Sequence, residues 1–168
     1  VGAGTPQDFM SPMQDAPVEV RKGLTVQSVM SQHFPVPNPL DQVNIAADLF
    51  YKNKTSYLPV LDAEGRLLGE LTVLDLFRIG IPHYAERIGT LKFLKSFEPF
   101  DGLLQREDKI TVKEVMKPSP VKLEEESPVV EAILKFTHTN RRHIPVMRGN
   151  ILVGVVSYMD IRHKVLRA

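Results

Sequence analysis

An internal repeat constrains this chain more than any other feature of its sequence. The stretch Tyr57-Leu58-Pro59-Val60-Leu61 leads through Asp62-Ala63-Glu64-Gly65 to Gly69-Glu70-Leu71-Thr72-Val73-Leu74-Asp75-Leu76. A second stretch, His143-Ile144-Pro145-Val146-Met147 through Gly149-Asn150 to Gly154-Val155-Val156-Ser157-Tyr158-Met159-Asp160-Ile161, follows it almost position for position. Asp75 and Asp160 stand 85 residues apart, as do Thr72 and Ser157, whereas Leu58 and Ile144, Met30 and Met116, and Ala46 and Ala132 stand 86 apart. One extra residue in the first hairpin turn accounts for the change. Each copy reads as an apolar strand, a turn, a second apolar strand, and a Thr or Ser that opens a helix with Asp three residues on.

The flanking residues extend the repeat in both directions. Thr25-Val26-Gln27-Ser28-Val29-Met30 is echoed by Thr111-Val112-Lys113-Glu114-Val115-Met116, and extended stretches follow at Pro35-Val36-Pro37 and Pro120-Val121-Lys122-Leu123. Asn38-Pro39 and Ser127-Pro128 each pair an N-cap residue with proline at the first helical position, so helices are expected to begin there. Leu40, Val43, Ala47 and Phe50 mark the buried face of the first, ended by Lys52-Asn53-Lys54; Val129, Ile133 and Phe136 mark that of the second. Glu124-Glu125-Glu126 are explained by favourable charge at that helix's positive end. Each copy is therefore expected to run strand, helix, strand, strand, helix, an α+β arrangement in which the helix crosses between parallel strands and a hairpin adds an antiparallel one. One copy would leave an apolar sheet face uncovered, and two can cover each other.

The boundaries follow: an arm or linker over 1–22, rich in Gly and Pro and without a sustained period, a first repeat over 23–79, an insert over 80–108, and a second repeat over 109–168. In the insert Phe93, Phe97, Phe100 and Leu104 share a helical face, interrupted by Pro99. They either pack on the protein's own surface or form a partner site, and the first is preferred.

With 21 Lys and Arg against 20 Asp and Glu, the formal charge of +1 gives no electrostatic reason to expect nucleic acid or an anionic membrane. Arg141, Arg142, Arg162, Lys164 and Arg167 are the only motive for nucleic-acid binding, and none is expected. No cysteine is present, which removes disulfides and thiolate metal sites. His138 and His143 lack a third ligand at suitable spacing for zinc. Neither a Ser-His-Asp or Cys-His arrangement nor a Gly-rich phosphate loop can be recognised, which argues against an enzyme. The apolar runs are too short to span a bilayer. The chain starts at Val1 with no initiator Met or signal-peptide pattern, so it is expected to be a piece of a longer protein whose regulated activity lies elsewhere.

The duplicated Thr-Val-x-x-Val-Met, Leu58-Pro59-Val60 with Ile144-Pro145-Val146, and the twofold Gly-hydrophobic-x-Thr/Ser-x-x-Asp phrase resemble a tandem pair of CBS domains, often called a Bateman module. The resemblance covers about Gly23 to Arg78 and Ile110 to Leu166. It implies two pseudo-twofold-related β-α-β-β-α repeats packed as one module, here with a helical insert between them. It also implies clefts between the repeats that take adenosine-containing ligands such as AMP, ADP, ATP or S-adenosylmethionine, with no cofactor required. Thr72 and Ser157 match the family hydroxyl that meets phosphate, and Asp75 and Asp160 match the carboxylate that holds the ribose. Thr25 and Thr111 open the phrase whose backbone borders the base. Arg142 and His143 occupy the segment where family members often place basic phosphate contacts, and the first repeat departs from it with Ser56-Tyr57, of which Tyr57 is a ligand-binding candidate. The resemblance further implies a cytoplasmic regulatory module that forms a homodimer, through residues such as Leu74, Phe77, Met159 and Val165, and acts on an attached or partner effector.

Physical chemistry supports two readings of the Thr72/Asp75 and Ser157/Asp160 pairs. A hydroxyl at a helix N-terminus joins free N–H groups that favour an anion, and an Asp one turn on accepts two hydroxyl donors. Equally, Ser/Thr-x-x-Asp acts as a capping box that satisfies the helix's first N–H groups without a ligand. Function divides the same way, between a ligand-sensing module and a ligand-free dimerisation scaffold.

Overall fold

A computed structural model of the chain describes residues 23–80 and 109–165. The expected arm over 1–22, and the insert beyond residue 80 with its Phe-rich face, lie outside the described residues, as does Arg167. In chain order the described elements are α1 (Val26–Val29), α2 (Val43–Asn53), β1 (Tyr57–Leu61), β2 (Leu67–Thr72) and α3 (Val73–Gly80). After these come α4 (Val112–Val115), β3 (Leu123–Glu124), α5 (Val129–Thr139), β4 (His143–Arg148), β5 (Ile151–Ser157) and α6 (Tyr158–Val165). The fold is α+β, as expected.

Both hairpins form where the sequence places them. In the first, β1 and β2 pair antiparallel with Tyr57 opposite Thr72, Leu58 opposite Leu71 and Pro59 opposite Glu70. Its turn is organised by Asp62, whose Oδ1 accepts the N–H groups of Glu64 and Arg66 at 2.9 Å each, and by Gly65 at φ 84°, which favours glycine. In the second repeat β3, β4 and β5 form a three-stranded sheet, with β3 parallel to β4 and Leu123 beside Val146.

Several details depart from the sequence reading. Asn38-Pro39 opens a turn and not the helix: the Asn38 side chain accepts the Leu40 N–H, Asp41 accepts that of Asn38, and α2 starts only at Val43 after Gln42. Leu40 is consequently 74% exposed and lies off the buried face, which Val43, Ala46 and Phe50 form. Similarly α5 starts at Val129 with Pro128, not Ser127, as its N-cap. No strand forms at Pro35-Val36-Pro37; two of its three residues have no N–H to donate to a ladder. Glu125 serves β4 and not the helix end, since Arg148 donates to it through Nε at 2.6 Å and Nη2 at 3.0 Å. Val165 is buried in the core and so is removed from the proposed dimer face.

The described residues gather into two compact units that do not coincide with the repeats. One contains 23–32, 121–149 and 153–165; the other contains 33–80, 109–120 and 150–152. Val26, Val29 and Met30, from the opening phrase of the first repeat, pack with Leu123, Val129, Ala132, Ile144, Val146, Val156 and Ile161 of the second. Reciprocally, Val112 packs with Val43, Ala46, Phe50, Leu58, Val60, Leu71 and Leu76. The four-residue helices α1 and α4 are far too short to be stable alone. Burying Val26 and Val112 completely, worth about 1.5–3 kcal/mol each, holds them in place.

Candidate functional site: two helix starts with different carboxylates

In each unit a short ladder sets the backbone that follows the opening helix. Lys117 and Glu70 exchange N–H···O bonds at 2.9 and 3.0 Å, and in the other unit Ser31 and Val155 do the same at 2.8 and 3.0 Å. A glycine permits each approach. A Cβ at Gly69 would lie 2.7 Å from the Lys117 carbonyl oxygen and 3.1 Å from Met116 Sδ, and one at Gly154 would collide with Met30 Sδ. The repeated methionine and the repeated glycine of the sequence are therefore partners, and the backbone that follows each methionine is fixed against a strand.

At the start of α3, the Asp75 carboxylate is engaged on both sides. Its Oδ2 accepts the Thr72 N–H at 2.8 Å and the Thr72 hydroxyl at 2.9 Å. Its Oδ1 faces two cations, Arg78 Nη1 at 3.0 Å and Lys117 Nζ at 3.4 Å. Asp75 is only 8% exposed, while both cations reach it from half-exposed positions. Tyr57 lies opposite Thr72 in the hairpin and is buried. Thr111 starts α4 in the same unit, bridges to Gln42, and donates its N–H to Glu114 Oε2 at 3.3 Å.

The start of α6 is arranged differently. Ser157 Oγ accepts the Asp160 N–H at 3.0 Å, and Asp160 Oδ2 accepts the Ser157 N–H at 3.3 Å, a reciprocal capping box. The Arg142 carbonyl accepts the Tyr158 N–H at 3.0 Å, which ties the 142–143 segment to the helix start. His143 is half-buried, and burial pushes its imidazole below the ordinary value of 6.5; the Asp160 charge opposes that shift, and Arg142 and Arg141 reinforce it. Arg142 is exposed. Thr25 bridges to Pro128 in this unit, and its carbonyl accepts the Ser28 hydroxyl at 2.6 Å.

The structure thus sorts the nine sequence candidates into two sets, and the sorting crosses the repeats. Thr111 joins Tyr57, Thr72 and Asp75, and Thr25 joins Arg142, His143, Ser157 and Asp160. The reciprocal capping box forms at Ser157/Asp160, whereas at Thr72/Asp75 only its carboxylate half forms, the Thr72 hydroxyl donating to Asp75 instead of accepting its N–H. What sequence reasoning missed are the cations on Asp75. Arg78, one helical turn on, was visible as an i,i+3 pair. Lys117 was not, because only the Glu70 ladder brings it there.

The CBS domain family matches residues 26–81 and 112–167, which together make up most of the chain and coincide with the two repeats. The chain belongs to the CBS-domain family. A CBS domain-containing protein of Dictyostelium discoideum is 30% identical over 138 residues, covering 81% of this chain and 87% of its own length. The chloroplastic CBS domain-containing protein CBSX1 of Arabidopsis thaliana is 26% identical over 140 residues, covering 79% of this chain. The chain spans 58% of the length of CBSX1. Among solved structures, CBSX2 in complex with AMP superposes with a TM-score of 0.66 at 23% identity, covering 86% of this chain and 98% of that one. A CBS domain-containing protein from Bacillus anthracis gives 0.71 at 16% identity, covering 90% and 99%. At these identities the two structures establish the CBS fold alone. Among the described residues, no helix is long and apolar enough to cross a membrane.

Proposed function

We propose that this CBS pair is a non-catalytic regulatory module that binds an adenosine-containing nucleotide and passes its occupancy to an attached or partner effector in the cytoplasm. The observation that carries the reading is the start of α6. A carboxylate capped by one 3.3 Å hydrogen bond stands at a helix N-terminus beside a hydroxyl, with half-buried His143 and exposed Arg142 tied to the same turn. Asp160 would accept the ribose hydroxyls, Ser157 and the helix N–H groups would face phosphate, and Arg142 would supply the positive charge. Thr25 would border the base. Thr72, Asp75, Thr111 and Tyr57 form the corresponding set in the other unit. The AMP complex of CBSX2, a protein of the same fold, supports adenine nucleotides as the first ligands to try. AMP, ADP, ATP and S-adenosylmethionine are the panel.

A second reading, a ligand-free dimerisation scaffold, is favoured by one observation. Leu74 and Phe77 are 60% and 56% exposed one turn apart on α3, and Met159 on α6 is 52% exposed. Burying these residues in a homodimer is compatible with ligand binding, so the two readings part only at the ligand. Titration calorimetry with the four-member panel, at concentrations that detect micromolar affinity, tests this. Heat with at least one member is expected, and silence with all four would leave the scaffold.

A further inference from the structure

The two helix starts carry the same carboxylate in opposite states, and the difference lies at two positions: Arg78, whose counterpart is His163, and Lys117, whose counterpart is Ser31. Asp75 offers no oxygen to a newcomer without losing a partner: Oδ2 holds Thr72 twice, and Oδ1 faces Arg78 and Lys117. Arg78 reaches Asp75 from within α3. Lys117 comes from the ladder with Glu70, where two backbone hydrogen bonds hold it against the strand and Gly69 permits the close approach. In the other unit the ladder with Val155 presents Ser31 at the corresponding place, 86 residues earlier, and serine has no charge to offer Asp160.

We infer that Lys117 is a built-in competitor for Asp75, an internal cation that holds the first repeat's ribose-accepting carboxylate and makes that site the weaker of two. This rests on the nucleotide-binding reading above. A ribose hydroxyl approaching Asp75 has to displace an ammonium already seated 3.4 Å from Oδ1, whereas at Asp160 it meets no lysine from the ladder. Lys117 is 42% exposed, so its hold on Asp75 is that of a half-solvated ion pair, worth a factor of up to about five. That magnitude ranks the sites without closing either, and leaves Lys117 able to swing away when ligand is abundant.

The sign of the effect distinguishes this role from ordinary electrostatics. Deleting a lysine near an anionic ligand should weaken binding by removing attraction; deleting a competitor should strengthen it. The test is calorimetric titration of AMP into the wild-type chain, Lys117→Ser, and Lys113→Ser, an exposed lysine on α4 as the charge control. Lys117→Ser is expected to tighten the weaker binding event about two- to fivefold, or to bring a second event into view, while Lys113→Ser leaves it unchanged or weaker. Unchanged or weakened binding in Lys117→Ser, with wild-type binding intact, would overturn the competitor role and spare the nucleotide reading. No heat in the wild type and none in the variant would overturn both. If Lys117→Ser melts too low to titrate, Lys117→Met keeps the aliphatic stem and removes the charge, and the same outcomes apply.

Discussion

Replacing each helix-start aspartate with asparagine separates the two carboxylates by what each contributes to folding. Asp75 uses both oxygens as acceptors, toward Thr72 on one side and toward Arg78 and Lys117 on the other. Asparagine has a single oxygen. Whichever way its amide turns, one side of a nearly buried group then sets NH2 against donors. The loss combines three effects. Charge removed near the helix N-terminus costs about 0.3–1 kcal/mol. Two ion pairs with half-exposed partners contribute roughly 0–1 kcal/mol each after solvent screening. A compromised buried hydrogen bond adds about 1 kcal/mol. Asp75→Asn is therefore expected to destabilise by about 1.3–4 kcal/mol. At Asp160 the bond to Ser157 is made by one oxygen at 3.3 Å, which asparagine can reproduce, so Asp160→Asn should cost about 1 kcal/mol or less. Urea denaturation of the wild type and both variants reads the difference directly. Equal losses at the two positions, or a larger loss at Asp160, would refute the argument that the Asp75 carboxylate is held by internal partners on both sides.

Three further outcomes are expected. Gly69→Ala should destabilise by about 1–3 kcal/mol, because its methyl would meet the Lys117 carbonyl, a backbone atom that cannot rotate away; a melting temperature within error of the wild type would count against the ladder. His143 has its folded pKa below 6.5, so the unfolded state takes up its proton first as the pH falls. The associated stability is complete above pH 6.5 and declines as the pH drops toward the folded value; His143→Gln should flatten that part of the profile, and an unchanged slope would exclude His143 as its source. Light scattering is expected to give twice the 18.9 kDa chain mass, with Leu74→Glu/Phe77→Glu returning the monomer; a wild-type monomer at all accessible concentrations would remove the dimer.

Periodicity and turn chemistry made most of the fold legible. Short apolar runs bounded by turn residues located β1, β2, β4 and β5, and Asp62 with Gly65 marked the turn, because these signals are local. The errors came where local chemistry admits two structures. Asn38-Pro39 suits a helix start and a turn alike, and the turn prevailed because Asn38 accepts the Leu40 N–H and Asp41 accepts that of Asn38 before α2 begins. The sequence places each opening phrase in its own repeat, since nothing in Thr-Val-x-x-Val-Met says which core its valines enter. Their crossing depends on fit between methionines and glycines far apart in the chain. For the same reason the Ser/Thr-x-x-Asp pairs could be found in the sequence, but Lys117 beside Asp75 could not: its partner is 42 residues away and is reached only through a backbone ladder.

The measurement that bears most directly on the central claim is AMP titration of Asp160→Asn beside the wild type. A hydrogen bond to a charged group is worth about 1.5–3 kcal/mol, so loss of the Asp160 charge should weaken the tighter site roughly tenfold to a hundredfold while the protein stays folded. If wild-type protein binds AMP and folded Asp160→Asn binds it equally well, Asp160 is a helix cap alone and the nucleotide is held elsewhere.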